Sequence, residues 1–312
     1  MKYRRLSLSA LAVCLPAFLL LLASPAVAQQ RKAMTLAYQL THIDQGEAFP
    51  SPDGKQLIYE TVVAGVQQLF IMHVDGSGPV QITHDTFNHD TPAWSPDGKK
   101  IAYVSDKDGK EVINLINPDG SGDEQLSDGT HRVIHPNWSA DSSKVIYCSD
   151  DDLKPPKKNE SDIFSIYVKT RKAETLITGG TNTYPSWSPD GKKIVFRRMI
   201  GDMNSEVFVA NSDGSDQRNL SSHPAFDGWP SWSPDGSQIV FASNRNANYQ
   251  VFVMNPDGSG VRLVANTEGR ATEPRWSTDG KTIFFSNCKK VDWSVDCQVM
   301  TAEVEQRVPG HP

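Results

Sequence analysis

The chain has 312 residues, of which 31 are lysine or arginine and 37 are aspartate or glutamate, so its formal net charge is −6. An acidic chain is a poor match for a phosphate backbone, which argues against a nucleic-acid-binding protein. After the first 28 residues, no apolar run is long enough for a transmembrane helix.

The first 28 residues have the organisation of a secretory signal peptide. The basic start MKYRR precedes the apolar run LSALAVCLPAFLLLLA and small residues that end at Ala28. This order predicts cleavage after Ala28 and a periplasmic or secreted protein. An uncleaved membrane anchor is the alternative, although Pro16 interrupts the run. Without Lys2, Arg4 and Arg5, 28 of the 31 basic residues remain against 37 acidic ones, a net charge of −9.

One short motif recurs six times in residues 29–312, as in WSPDGKKIAYVS at 94–105. Counted at the residue before S-x-D, the copies lie at Pro50, Trp94, Trp138, Trp187, Trp232 and Trp276. Their spacings are 44, 44, 49, 45 and 44 residues. A nearly constant period of this length indicates a repeat architecture within a single domain.

Each repeat contains the signals of four short strands. From residue 230 onward, PSW, SQIVFAS, YQVFVMN and VRLVA are β-rich segments, separated by the turns SPDG and PDGSG and the loop NRNAN. Four antiparallel strands per unit predict an all-β, six-bladed β-propeller. A pair of β-sandwiches is the alternative, but it does not explain the period. The third unit carries an insertion at 150–162, which we interpret as a solvated loop, with a binding element as the alternative.

The two ends of the repeat array predict how the ring closes. MTLAYQLTH, at 34–42, matches a fourth strand, whereas the last unit ends after its third strand, CQVMTAEV. We therefore expect the amino-terminal strand to complete the last blade and to cover its edge. Cys288 and Cys297 flank the hairpin loop of that blade and are predicted to form a disulfide. Cys148 is the odd cysteine and is interpreted as a small buried residue.

The repeat, P-x-W-S-P-D-G-K-x-I-x-F followed by V-F-V-M-N-x-D-G-S, resembles the WD40-like repeats of the TolB-type propellers. The resemblance extends from about residue 34 to 304, and it implies a fold without implying one function. TolB itself has an additional amino-terminal α/β domain, which we expect this chain to lack. Propellers of this type also precede the hydrolase domain of prolyl oligopeptidase relatives, but no G-x-S-x-G motif occurs here.

The recurring turn aspartates are predicted to be structural, and function is expected where the repeats differ. These aspartates are Asp53, Asp97, Asp141, Asp190, Asp235 and Asp279. The variable loops enter the first strands, which line the channel of a propeller, so they surround one mouth of it. Three residues before each Trp, or before Pro50, stand Glu47, Thr91, His135, Tyr184, Trp229 and Glu273.

A binding site is therefore predicted at this channel mouth, with Tyr184 and Trp229 as aromatic anchors. Its proposed residues are Asp44, Glu47, His89, Asp90, His131, His135, Tyr184, Asp227, Trp229, Arg270 and Glu273. The histidines and carboxylates among them have the chemistry of a metal or proton-transfer site, or they are simply solvated.

The sequence contains no H-E-x-x-H motif, and we assign no catalytic residue, metal or cofactor. The predicted function is a monomeric binding or scaffold protein that docks an envelope protein or a polysaccharide. The alternative is a carbohydrate-active enzyme, a lyase or a hydrolase, with a metal-dependent site in the channel.

Overall fold

The structure is a computed structural model that describes residues 38–43, 47–149, 160–201, 204–291 and 294–304. The predicted signal peptide and most of the insertion at 150–162 lie outside the described residues. Within those ranges, no helix has the length and apolar character that crossing a membrane requires.

The described strands form six four-stranded antiparallel sheets, and each sheet is one blade of a propeller. In blades one to three the strands are β2 (Ala48–Pro50), β3 (Gln56–Val63), β4 (Val66–His73), β5 (Val80–Gln81), β6 (His89–Trp94), β7 (Ile101–Ser105), β8 (Val112–Ile116), β9 (Glu124–Gln125), β10 (Val133–Trp138), β11 (Lys144–Ser149), β12 (Ile163–Tyr167) and β13 (Ala173–Ile177). In blades four to six they are β14 (Asn182–Trp187), β15 (Lys193–Gly201), β16 (Asn204–Asn211), β17 (Arg218–Asn219), β18 (Asp227–Trp232), β19 (Ile239–Ser243), β20 (Gln250–Met254), β21 (Arg262–Ala265), β22 (Arg270–Trp276), β23 (Thr282–Val291), β24 (Ser294–Glu303) and β1 (Tyr38–Ile43). The predicted all-β, six-bladed propeller is confirmed.

The sixth blade combines strands from both ends of the described chain. Its order is β22, β23, β24 and β1, and β1 pairs with β24 from Tyr38 opposite Thr301 to Ile43 opposite Cys297. Cys288 and Cys297 face each other across β23 and β24 and form the predicted disulfide. Cys148 is buried and takes no part in a disulfide, as predicted.

The hydrophobic core lies between neighbouring blades. Between the first and sixth blades, for example, the buried side chains Leu57 and Met72 pack in one cluster with Phe284 and Val299. Each large apolar side chain buried in this way contributes roughly 1.5–3 kcal/mol to stability. The first and sixth blades are separate sheets, and this packing joins them.

The recurring S-x-D turn is held by its own side chains. In the first blade the Ser51 hydroxyl donates to Asp53 Oδ1 at 2.7 Å, and the backbone N–H of Lys55 donates to the same oxygen at 3.1 Å. The same serine–aspartate bond measures 2.6–2.8 Å in the other five blades. Both hydrogen bonds lower the pKa of Asp53, and the bond from the Ser51 hydroxyl has the larger effect. The turn aspartates thus hold the turns, in line with their predicted structural role.

Candidate functional site

The first strands share an unusual backbone conformation at the position three residues before the tryptophan. In blades two to six this residue has a left-handed φ between 48° and 56°, at Thr91, His135, Tyr184, Trp229 and Glu273. Each of these residues precedes a proline, and the pairing register of each strand shifts there. Such a bulge re-aims the side chain of the residue that carries it. The variable position is therefore presented in the same way by five blades.

The side chains at this position contact one another from blade to blade. The rings of His135 and Tyr184 are stacked, with centroids 3.6 Å apart. Tyr184 in turn lies 5.7 Å from Trp229 of the next blade. Because these residues come from the first strands of three successive blades, they form a continuous aromatic surface along one side of the channel.

An arginine from the second strand of blade four completes this surface. The Arg197 guanidinium lies 4.7 Å from the ring of Tyr184, 5.4 Å from Phe226 and 5.6 Å from Trp229. Its Nε donates to Thr183 Oγ1 at 2.8 Å. A cation between aromatic faces is held by cation–π attraction, which is stronger where water is excluded.

Blades five and six extend this surface outward to solvent. The Arg270 guanidinium lies 4.3 Å from the ring of Tyr249, and Arg270 is exposed. Beside it is a cavity of about 440 Å³, lined by Trp229, Arg270, Thr272, Glu273, Cys288, Lys289 and Lys290. We call the set formed by Tyr184, Arg197, Phe226, Trp229, Tyr249 and Arg270 the cationic wall.

Carboxylates from blades six, one and two form a second set, the acidic arc: Glu47, Glu60, Asp90 and Glu273. Glu47 and Glu60 are buried, whereas Asp90 and Glu273 are half-buried. Glu60 Oε2 accepts a hydrogen bond from the backbone N–H of Thr91 at 2.6 Å. Arg275 Nη2 lies 3.5 Å from Glu47 Oε2.

The acidic arc holds its protons more tightly than isolated carboxyls do. Burial, together with the charge of Glu273 and against that of Arg275, raises the pKa of Glu47 to about 8. Burial raises the pKa of Asp90 to about 7, against the hydrogen bond from Thr91. The pKa values of Glu60 and Glu273 are also raised, again mainly by burial. Carboxyls that titrate near neutral pH are suited to donate as well as to accept hydrogen bonds.

His135 stands at the end of the cationic wall as a neutral imidazole. Burial, assisted by the charges of Arg197 and Arg275, lowers its pKa well below the usual range. Its Nδ1 lies 3.5 Å from the Cys148 thiol sulfur. The imidazole therefore offers the channel a neutral ring and a hydrogen-bonding nitrogen, not a positive charge.

The structure brings together seven of the predicted site residues and places three others elsewhere. The seven are Glu47, Asp90, His135, Tyr184, Trp229, Arg270 and Glu273. His89 is buried with its Nε2 2.7 Å from Asp85 Oδ1, and Asp227 is buried in an ion pair with Arg245 at 2.9 Å. The ring of His131 stacks on Phe164 at 5.0 Å. Asp44 lies outside the described residues.

Sequence reasoning missed Glu60, Arg197 and Arg275. Glu60 and Arg197 occupy one position of the motif, directly after the aromatic residue of the second strand, where the six blades carry Glu60, Val104, Cys148, Arg197, Ala242 and Ser286. The change of residue type at this one position, within an otherwise regular strand, is the sequence feature that could have identified Glu60 and Arg197 as site residues.

Metal-binding geometry is not found in the described part of the chain. Within those residues, no three His, Cys, Asp or Glu side chains are placed to hold one metal ion. The geometry supports a site that combines aromatic stacking, fixed cations and carboxyls with raised pKa values.

Solved structures with the same fold include proteins of different activities. The chain is similar to TolB from Acinetobacter baumannii, with a TM-score of 0.63 and 19% identity over 84% of this chain and 63% of that one. It is similar to an oligogalacturonate lyase from Vibrio parahaemolyticus, with a TM-score of 0.60 and 13% identity over 87% and 94% of the two chains. A gluconolactonase from Xanthomonas campestris gives a TM-score of 0.66 and 14% identity over 88% and 92%. At these identities the likeness concerns the fold alone.

The sequence comparisons identify a family but no individual relative. The chain spans less than two thirds of the TolB structure named above. Among curated proteins, none matches this sequence. The TolB β-propeller domain matches residues 29–152 and 112–308, which together account for most of the chain. The chain therefore belongs to the TolB β-propeller domain family.

Proposed function

We propose that this protein is a binding module that docks an envelope protein or polysaccharide at the loop-side mouth of its channel. The observation that supports this most strongly is the cationic wall, in which Arg197 and Arg270 lie against aromatic rings. Tyr, Trp and Arg are the residue types that contribute most binding energy at protein interfaces. Aromatic faces also suit the apolar faces of sugar rings.

The part of the wall that a partner reaches first is its outer end. Arg270 is exposed and Tyr249 is half-buried, whereas Trp229 is only 5% exposed. Replacing Trp229 with alanine would therefore remove core packing and cost about 3–5 kcal/mol of stability. Arg270 and Tyr249 are better positions at which to separate binding from folding.

We further propose that the protein works outside the cytoplasm, in the periplasm or after secretion. The sequence of residues 1–28 supports export, although these residues lie outside the described structure. The Cys288–Cys297 disulfide supports the same placement, because disulfides persist in oxidising compartments.

The test is a comparison of three immobilised proteins in one envelope extract. Wild type should capture a dominant partner, and the double variant Arg270→Glu/Tyr249→Ala should lose it, because both the cation and its aromatic support are removed. Asp190→Ala, in a turn at the other end of the first strands, should capture the partner as wild type does. Capture that survives the double variant but fails with Asp190→Ala would place binding on the turn side and refute the proposal.

A carbohydrate-active enzyme is the second candidate, and the acidic arc favours it. The pKa values of Glu47, about 8, and Asp90, about 7, suit general acid–base catalysis near neutral pH. Two proteins of similar fold are named as an oligogalacturonate lyase and a gluconolactonase. Turnover of an oligogalacturonide or an aldonolactone that falls at least 100-fold in Glu47→Gln would establish this candidate. No turnover by wild type, with or without added Mn²⁺, would reject it for both substrates.

A further inference from the structure

A second cavity lies at the opposite, turn-side end of the channel. It measures about 360 Å³, and each blade contributes one aromatic residue to its lining. These six residues, which we call the aromatic belt, are Phe49, Trp94, Trp138, Trp187, Trp232 and Trp276. Five of them stand three residues further along the first strands than the left-handed positions, a separation of roughly 10 Å toward the turns. The cavity is therefore distinct from the loop-side mouth.

Three of the tryptophans that line this cavity have a buried indole N–H without an acceptor in the described part of the chain. The indole N–H of Trp138 donates to the backbone carbonyl of Ala93 at 2.9 Å. In contrast, the buried indole nitrogens of Trp94, Trp232 and Trp276 have no hydrogen-bond partner among the residues that the structure describes. Buried donors without an acceptor are rare in folded proteins, since each loses the water that it bonded in the unfolded chain.

Arg275 places a positive charge beside these donors. It is the one charged side chain among the described residues that line the cavity, and it is 9% exposed. Its Nε is buried and has no partner in the described ranges. Its Nη2 is 3.5 Å from Glu47 Oε2, which is long for an ion-paired hydrogen bond. The guanidinium also lies 4.4 Å from the ring of Phe49.

We propose that this cavity binds a small aromatic carboxylate. The carboxylate of the ligand lies toward Arg275, and its flat ring lies within the aromatic belt. Arg275 is the one charged residue among the described residues that line the cavity, and its positive charge calls for an anion. Aromatic side chains around the opening favour a flat apolar body. A volume of about 360 Å³ is near the small end of ligand pockets, which fits one or two fused rings.

This inference does not depend on the loop-side proposal, and wild-type protein suffices for its first test. Indole-3-acetate is titrated into ¹⁵N-labelled protein while the indole N–H resonances are followed, with the neutral indole-3-acetamide as the matched ligand. We expect saturable shifts of the indole resonances of the tryptophans that line the cavity, because the ligand lies against their rings, and binding of the acid at least about tenfold tighter than binding of the amide. The absence of saturable shifts, equal affinity for acid and amide, or the same shifts with acetate alone would each overturn the proposal.

Variants locate the ligand within the channel. Arg275→Gln removes the charge and should reduce affinity for the acid about tenfold, to that of the amide. Because Arg275 is buried, Ser231→Phe is a second variant: it fills the cavity from its half-exposed lining and should abolish binding of both ligands. Lys290→Ala removes a cation at the loop side and should leave affinity unchanged. Wild-type affinity in a folded Arg275→Gln or Ser231→Phe protein, or loss of binding in Lys290→Ala, would refute the assignment.

Discussion

Arg197 reaches Tyr184 because Gly228 has no side chain. A Cβ built on Gly228 would lie 2.9 Å from Arg197 Cδ, closer than such atoms approach in folded proteins. The aliphatic Cδ and Cγ of Arg197 occupy that space, and its guanidinium lies 4.7 Å from the centroid of the Tyr184 ring. One missing methyl group in β18 thus positions the central cation of the wall.

Gly228→Ala should displace Arg197 and destabilise the protein by about 1–3 kcal/mol, the usual effect of overpacking a filled site. Urea unfolding measures the change. Gly201→Ala is the matched control, because a Cβ there meets nothing within 4 Å, and we expect it to be neutral. Equal stability of the two variants would show that Arg197 is not held against Gly228.

The acidic arc predicts a stability that falls as the pH rises. An unfolded glutamate has a pKa of about 4.3, whereas Glu47 in the folded protein has a pKa of about 8. The folded state therefore binds this proton more tightly, and its contribution to stability is complete below about pH 4.3 and is lost as the pH rises to about 8. We expect a loss on the order of 1–3 kcal/mol between pH 5 and 8.5, measured by urea unfolding.

Glu47→Gln should flatten that slope, because the glutamine cannot ionise. Glu268→Gln is the control: Glu268 is exposed and its ion pair with Lys289 lowers its pKa, so it does not titrate between pH 5 and 8.5. An unchanged slope in Glu47→Gln would mean that the buried carboxyl is ionised throughout this range.

The turn aspartates predict an opposite dependence at lower pH. The Ser188 hydroxyl and then the backbone N–H of Lys192 lower the pKa of Asp190. Its stabilising effect is therefore present above about pH 3.9, the unfolded value, and is lost as the pH falls below it. Asp190→Ala should lower the Tm at pH 7 and leave partner binding intact, whereas a Tm equal to wild type at pH 7 would contradict the role of the turn.

The disulfide should stabilise the sixth blade. Replacing both Cys288 and Cys297 with serine should cost roughly 2–3 kcal/mol, by a loop-entropy argument for a short loop. Thiol titration of the native protein without residues 1–28, and so without Cys14, should find no reactive group, because Cys148 is buried, and one thiol after unfolding. Two further thiols in unfolded, unreduced protein would show that the bond is absent.

Strand β1 covers the outer edge of β24. Deleting residues 29–42 should expose that edge and cause aggregation or loss of cooperative unfolding. Size-exclusion chromatography and thermal unfolding measure both effects. A truncated protein that stays monomeric and unfolds at the wild-type temperature would show that the last blade does not need this strand.

The fold could be predicted because the information that determines it is local and repeated. Ser51 and Asp53 hold a turn by contacts within five residues, and the same spacing recurs in every blade. The partners of a site residue are not local in this way. Asp227 is buried in an ion pair with Arg245, which follows the neighbouring strand, and spacing alone does not reveal such a partner.

The direction of a strand side chain was the other limit. Arg197 lies beside the bulge of β14 in its own blade. Glu60 accepts a hydrogen bond from Thr91, which lies at the bulge of β6 in the next blade. At those bulges the residue before proline has a left-handed φ. The residue types at these positions do not predict this conformation. Thr, His, Tyr, Trp and Glu all occur there, and of these only His is enriched in this conformation.

That repeated backbone conformation has a thermodynamic consequence for the whole molecule. Glycine would adopt a left-handed φ without strain, yet none of the five positions is glycine. A non-glycine residue in this region costs about 1 kcal/mol or more, so the ring carries several kcal/mol of unfavourable conformational energy. A sequence optimised only for thermal stability would place glycine or asparagine at these positions. The propeller is instead less stable than it could be, and it presents an imidazole, a phenol, an indole and a carboxyl group at these positions.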